Sequence, residues 1–123
     1  MNLFPKLVVN DARRAIEFYT TAFGVKETEL FETPDGKVVN VRLVLGDLDF
    51  TLKDEDSVDA APGLDGPPVI IHLEAPDPDA VGARMEAGGA TLVFPFEDHP
   101  YGRMGRLRDP FGHVWIVRET DGG

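Results

Sequence analysis

Cysteine is absent from the 123-residue chain, and serine occurs once, as Ser57. The first absence excludes disulfides, thiolate metal sites and a cysteine nucleophile, and it leaves the compartment unmarked by redox chemistry. The second argues against a serine-type catalytic relay, because no serine lies near Asp98-His99 and Ser57 falls in the acid-rich linker. Basic side chains are few: 12 Lys and Arg stand against 22 Asp and Glu, for a formal net charge of -10. That surplus repels polyphosphates, speaking against nucleic acid and anionic membrane surfaces and for a neutral or cationic small molecule as partner. Long apolar runs are also missing, with nothing near the roughly 18 residues of a membrane span. Met1 to Lys6 lack the basic start and apolar run of a secretory signal, so the expected location is cytoplasmic. What is present is 42% apolar content, enough at this length for one compact domain, residues 1–123, with a hydrophobic core.

The apolar pattern divides the chain into two similar halves. In residues 1–53, a strand from Leu3 to Val9 leads to an Asn10-Asp11 helix cap. The helix that follows has Ala12, Ala15, Ile16, Tyr19 and Phe23 on its apolar side and stops at Gly24. Three strands then follow, Val25 to Thr33, Val38 to Leu45 and Leu48 to Lys53, separated by turns at Pro34-Asp35-Gly36-Lys37 and Gly46-Asp47. Residues 54–68 hold five acids, three prolines and two glycines, the composition of an exposed linker. Residues 69–119 repeat the plan. A strand from Val69 to Glu74 precedes a helix opened by Pro76-Asp77-Pro78-Asp79 and ended by Gly88-Gly89. Strands follow at Ala90 to Phe96, Gly105 to Arg108 and His113 to Arg118. An offset of 66 residues carries Asp11 onto Asp77 and Gly46 onto Gly112. The fold class is therefore α+β, built of two βαβββ repeats.

Asn10-Asp11-Ala12, then Ala15-Ile16-Glu17-Phe18-Tyr19 and Phe23-Gly24, with Asp109-Pro110-Phe111-Gly112-His113-Val114-Trp115 in the second half, resemble the vicinal oxygen chelate superfamily. That group includes glyoxalase I, bleomycin-resistance proteins and extradiol dioxygenases. The resemblance runs from the first strand to about Arg118 and implies a curved mixed sheet around a concave pocket, commonly in a homodimer that pairs sheet edges or exchanges halves. It does not settle the activity, because the group contains lyases, dioxygenases and proteins that only sequester a drug.

Metal-using members take ligands from the first and last strand of each half. The resemblance places those positions at Phe4, Phe50, Ile70 and Ile116, all apolar, and a register slipped by one gives Pro5, Thr51, Ile71 and Val117. Hydrocarbon side chains offer no lone pair to a divalent ion, so neither metal nor cofactor is expected. The four instead suit the walls of a cavity for a planar aromatic molecule, the competing possibility being ordinary core. Strand alternation adds Lys6, Leu52, His72 and Arg118 as ligand contacts. His72 is also the candidate catalytic base, although sheet neighbours could equally satisfy its imidazole. Glu97 to Gly105 reads as a loop over the pocket mouth, with Tyr101 and Met104 able to cover a flat ligand and Glu97, Asp98 and His99 supplying polar groups. Trp115 alternates away from this face, toward the core. Three classes remain: a binding protein holding an aromatic, drug-like or cationic ligand in the manner of bleomycin-resistance proteins, a metal-dependent lyase or dioxygenase, and a metal-independent enzyme using His72. The apolar ligand positions count against the second, and the first is the leading expectation.

Overall fold

The computed structural model describes residues 3–63, 69–100 and 102–120. The chain divides into two compact units, Met1–Pro62 and Gly63–Gly123. The first contains β1 (Lys6–Val9), α1 (Ala12–Phe23), β2 (Lys26–Glu32), β3 (Val38–Leu45) and β4 (Leu48–Asp54). The second contains β5 (Ile70–Ala75), α2 (Pro78–Ala87), β6 (Thr91–His99), β7 (Gly102–Arg108) and β8 (Val114–Glu119). Each unit is the expected βαβββ module, and each forms one four-stranded mixed sheet. The orders are β1-β4-β3-β2 and β5-β8-β7-β6, with the first and last strands of each module parallel and the other pairs antiparallel.

The first unit is organised by α1. Asp11 is extended, and its carboxylate accepts from the Arg14 amide at 3.3 Å, satisfying one of the free donors of the first turn. Gly24 ends the helix at φ +79°, a left-handed conformation that side chains with a Cβ resist. Ala12, Ala15, Phe18, Tyr19, Ala22 and Phe23 are buried, while the expected core residue Ile16 is only half-buried. Tyr19 is the hub of an aromatic cluster, edge-on to Phe18 at 5.2 Å and to Phe50 at 5.3 Å and stacked on Phe23 at 5.7 Å. Such contacts add about 0.5–1.5 kcal/mol each to the burial of the rings.

In the second unit, Asp77 caps α2 by accepting from the Ala80 amide at 3.2 Å, and Pro78 fills the first helical position, where no amide is needed. The Phe96 ring lies between Gly82 of α2 and Gly105 of β7, and a Cβ on either glycine would overlap it. A side chain at either position would push helix and sheet apart. Arg103 of β7 clamps Asp79 of α2 through Nε at 2.6 Å and Nη2 at 2.9 Å.

Two segments depart from the sequence expectation. The acid-rich stretch after β4 begins as organised structure. Asp54 closes β4, and its two carboxylate oxygens accept from the Ala12 and Val38 amides, both at 2.8 Å, joining the start of α1 to the start of β3. Asp56 accepts from the Val58 and Asp59 amides, and Lys53 Nζ reaches Asp56 at 2.7 Å and Asp59 at 2.6 Å. Composition alone does not distinguish a carboxylate facing water from one that accepts backbone amides. The proposed lid is the second departure. β6 continues to His99 and β7 begins at Gly102, with Glu97 opposite Met104, Asp98 opposite Arg103 and His99 opposite Gly102. Two register shifts in β6 and Pro95 within it break the alternation that marks a strand in sequence, and both are tolerated because β6 is an edge strand. Tyr101 lies outside the described residues.

The turn from Asp109 to His113 is held by one buried carboxylate. Asp109 accepts from the Phe111 amide at 2.9 Å, the His113 amide at 3.0 Å and Trp115 Nε1 at 2.8 Å, and Gly112 takes φ +93°. Replacing Asp109 with Asn turns an amide donor toward one of these N–H groups. Urea denaturation of Asp109→Asn should show a loss of about 1–3 kcal/mol, and of Asp109→Ala a larger one. An unchanged midpoint for both would mean that the carboxylate does not hold the turn.

Candidate functional site

Each sheet packs one face against its helix, so alternation assigns the remaining residues to the opposite, open face. On the second sheet, the register sets these residues in three rows running from β5 across β8 and β7 to β6. The rows are Ile70–Val114–Arg108–Thr91, His72–Ile116–Arg106–Phe94 and Glu74–Arg118–Met104–Glu97. The two irregularities in β6 bring Thr91, Phe94 and Glu97 into line, although they are three residues apart in sequence. The Arg106 guanidinium stands over the Phe94 ring at 5.3 Å, and Arg118 Nη2 is 3.6 Å from Glu74. His72 is exposed, while Met104, Arg106, Ile116 and Arg118 are half-buried.

This face gathers five of the residues singled out in the sequence: Ile70, His72, Met104, Ile116 and Arg118. The first sheet separates the other four. Phe4 and Lys6 share its open face, Phe4 lying under the Arg42 guanidinium at 4.8 Å and Lys6 pairing with Thr51. Phe50 does not join them: its ring meets Tyr19 of α1, and Leu52, two residues on, shares that helix-facing side and is fully buried. Both are core residues of the first unit. The slipped register, with Thr51 on the open face, is the one β4 adopts, because Phe50 and Leu52 supply apolar surface to the helix that Asp49, Thr51 and Lys53 cannot. Trp115 lies on the side opposite Ile116, as expected, and is buried.

Sequence reasoning missed Arg106, Arg108, Glu74 and Phe94 on the second sheet. Met104-Arg106-Arg108 is itself a period-two pattern, but the loop expected from Glu97 to Gly105 leaves Met104 outside the strand expected from Gly105 to Arg108 and shortens the pattern to its two arginines. Three arginines and two glutamates lie on this face. The acidic surplus of the whole chain is therefore not expressed there, and a cationic ligand does not follow from net charge at this location. The row through the middle combines guanidinium donors with the apolar surface of Ile116 and Phe94, an arrangement able to hold an apolar body and orient a polar group. For a divalent metal the donors are unsuited. Among the described residues no group of three or more His, Asp or Glu is placed to hold an ion, and Thr51, on the open face of the first sheet, turns its hydroxyl to the Pro5 carbonyl at 3.3 Å.

Comparison with known proteins places these features in a family. The description Glyoxalase/Bleomycin resistance protein/Dioxygenase superfamily matches residues 4–117. An uncharacterized protein of Mycobacterium tuberculosis is 41% identical over 124 residues, covering 94% of this chain and 72% of that protein. A crystal structure of a Pseudomonas aeruginosa protein superimposes with a TM-score of 0.83 at 19% identity, over 97% of both chains. The fosfomycin resistance protein FosX of Mesorhizobium loti superimposes at 0.73 with 14% identity, over 99% of this chain and 93% of that one. At such identities the two structures speak for the fold alone.

The face assignment has a direct consequence for stability. Phe50→Ala removes a ring from the Tyr19 cluster and should cost about 3–5 kcal/mol. Ile70→Ala, at a side chain 45% exposed, should cost less than about 1 kcal/mol. Comparable losses in urea denaturation would refute the division into faces.

Proposed function

The chain belongs to the Glyoxalase/Bleomycin resistance protein/Dioxygenase superfamily, and from that premise we propose that it is a small-molecule-binding protein whose ligand, largely apolar and aromatic, lies on the open face of the second sheet. The observation that carries this reading is the middle row, where apolar and polar groups alternate: His72, Ile116, Arg106 and Phe94. Apolar area removed from water there contributes about 25 cal/mol per Å² before the costs of immobilising the ligand. Met104 and Ile70, in the neighbouring rows, extend the surface. In this reading His72 is a hydrogen-bonding contact, and binding requires neither metal nor cofactor.

A calorimetric screen of aromatic metabolites and antibiotics tests the placement. For any ligand found, His72→Ala should weaken binding about fivefold, the value of one neutral hydrogen bond. Ile116→Glu, which sets a charge in the apolar surface, should abolish binding while the protein stays folded by circular dichroism. Unchanged affinity in Ile116→Glu would remove the open face of the second sheet from consideration. A fall in turnover of two to four powers of ten in His72→Ala, should a substrate emerge, would make the protein an enzyme.

The same proposal includes a second copy of the chain. Two of the edge strands, β2 and β6, carry exposed apolar side chains, Phe31 at 62% and Phe94 at 54%, with Val93 also exposed, and edges of this kind favour pairing. Light scattering at micromolar concentration should give twice the 13.5 kDa of one chain. A monomer mass would contradict it.

A further inference from the structure

The two sheets are repeats of one plan, so each open-face residue has a counterpart. Lys6 and His72 both lie five residues before the aspartate that caps the following helix. The row through Lys6 runs Lys6–Thr51–Arg42–Thr28, and the row through His72 runs His72–Ile116–Arg106–Phe94. Arg42 and Arg106 therefore hold the same place, on the third strand of the row, and both guanidinium groups stack on a phenylalanine, Phe4 at 4.8 Å and Phe94 at 5.3 Å.

Their charges are handled differently. Arg42 is neutralised within its own sheet. Its Nε donates to Asp49 Oδ1 at 2.8 Å and its Nη2 to Asp49 Oδ2 at 2.5 Å, while Glu29 lies 3.7 Å away. This two-pronged bond holds the Asp49 carboxyl below the usual carboxylate range. Asp49 reaches Arg42 from the neighbouring strand, opposite Val44, two residues beyond Arg42. In the second sheet the residue opposite Arg108, two beyond Arg106, is Val114. The carboxylate has become an isopropyl group. Among the described residues Arg106 makes no ion pair, and its Nε is buried without a hydrogen-bond partner. A guanidinium keeps its charge at any ordinary pH, and a buried donor left without an acceptor is unfavourable. Arg108, two residues along the same strand, and Arg118, diagonally across on β8, raise the positive potential, Arg118 being partly offset by Glu74.

We propose that Arg106 takes from a ligand the oxyanion that Arg42 takes from Asp49: the molecule bound on this face carries a carboxylate, or an oxyanion of similar geometry, joined to its apolar body. The fork of Nε and Nη matches the two oxygens of such a group, and Ile116 and Phe94 lie beside it to receive the attached ring. The inference rests on the binding site proposed above and adds the charge of what binds there.

The probes are benzoate and its neutral isostere benzamide, titrated into the full chain while the arginine Nε–H resonances are followed by NMR. Benzoate should saturate in the millimolar range, shift the Arg106 Nε–H signal and bind at least about tenfold more tightly than benzamide, as expected for a charge-assisted pair. Arg106→Gln should remove that preference, Arg106→Lys should keep only part of it because the fork is lost, and Arg42→Gln should leave it intact. Equal affinities for the two probes, no saturable benzoate binding below about 10 mM, or a preference that survives Arg106→Gln would each overturn the inference. If benzamide and benzoate bind equally and both are lost in Ile116→Glu, the oxyanion inference fails while the binding face stands. If benzoate depends on Arg106 but neither probe responds to Ile116→Glu, the apolar surface proposed for the ligand body is the part that fails.

Discussion

A four-stranded sheet with a single helix has two faces and only one partner for them. That constraint orders both halves of this protein, because side chains on a strand alternate and a face packed against a helix must be apolar. In the first unit Phe50 and Leu52 go to α1 and leave Thr51 and Lys53 on the open side. In the second, Trp115 and Val117 are buried and Ile116 and Arg118 remain opposite. The chemistry available to the protein is therefore what the helices do not cover.

Carboxylates account for much of how the elements are joined. Asp11 and Asp77 cap the helices, Asp54 ties the start of α1 to β3, and Asp109 gathers three N–H donors in the last hairpin. Each satisfies backbone or indole donors, exposed ones at the two caps, part-buried ones at Asp54 and buried ones at Asp109. An acidic chain can thus spend part of its charge on structure. The surplus of 22 acids over 12 bases is consequently a poor guide to the charge at any one place, and the open face of the second sheet, with three arginines and two glutamates, is the clearest instance.

Duplication with divergence supplies a comparison inside a single molecule. Arg42 and Arg106 share a strand position and each stacks on a phenylalanine, yet Arg42 is held by the Asp49 carboxylate while the position equivalent to Asp49 beside Arg106 is Val114. The first sheet shows what satisfies a guanidinium at this place. The loss of that partner in the second sheet, on a face that also exposes apolar side chains, is the reason for looking there for a ligand and for expecting the ligand to bring an oxyanion.

The order of elements was determined by sequence alone, since the signals are local: a cap aspartate before each helix, a glycine after it, and period-two runs between turns. Ile70, His72, Ile116 and Arg118 were likewise legible as candidates, because β5 and β8 keep strict alternation, whereas Met104 was a candidate as a loop residue and lies in β7. What only the tertiary structure decided depends on which face meets the helix and which groups meet across strands. Phe50 and Leu52 carry the same apolar signal whether they line a cavity or a core, and only the position of Tyr19 distinguishes the two. Asp54 looked like linker charge until the Ala12 and Val38 amides were seen to converge on it. Arg106 falls within the strand expected from Gly105 to Arg108, but which side chains stand beside it depends on the pairing of β7 with β6 and β8, which no local pattern records. Cross-strand register is a long-range property, set by packing and by hydrogen bonds between segments distant in sequence, and the different surroundings of two equivalent arginines exist only at that level.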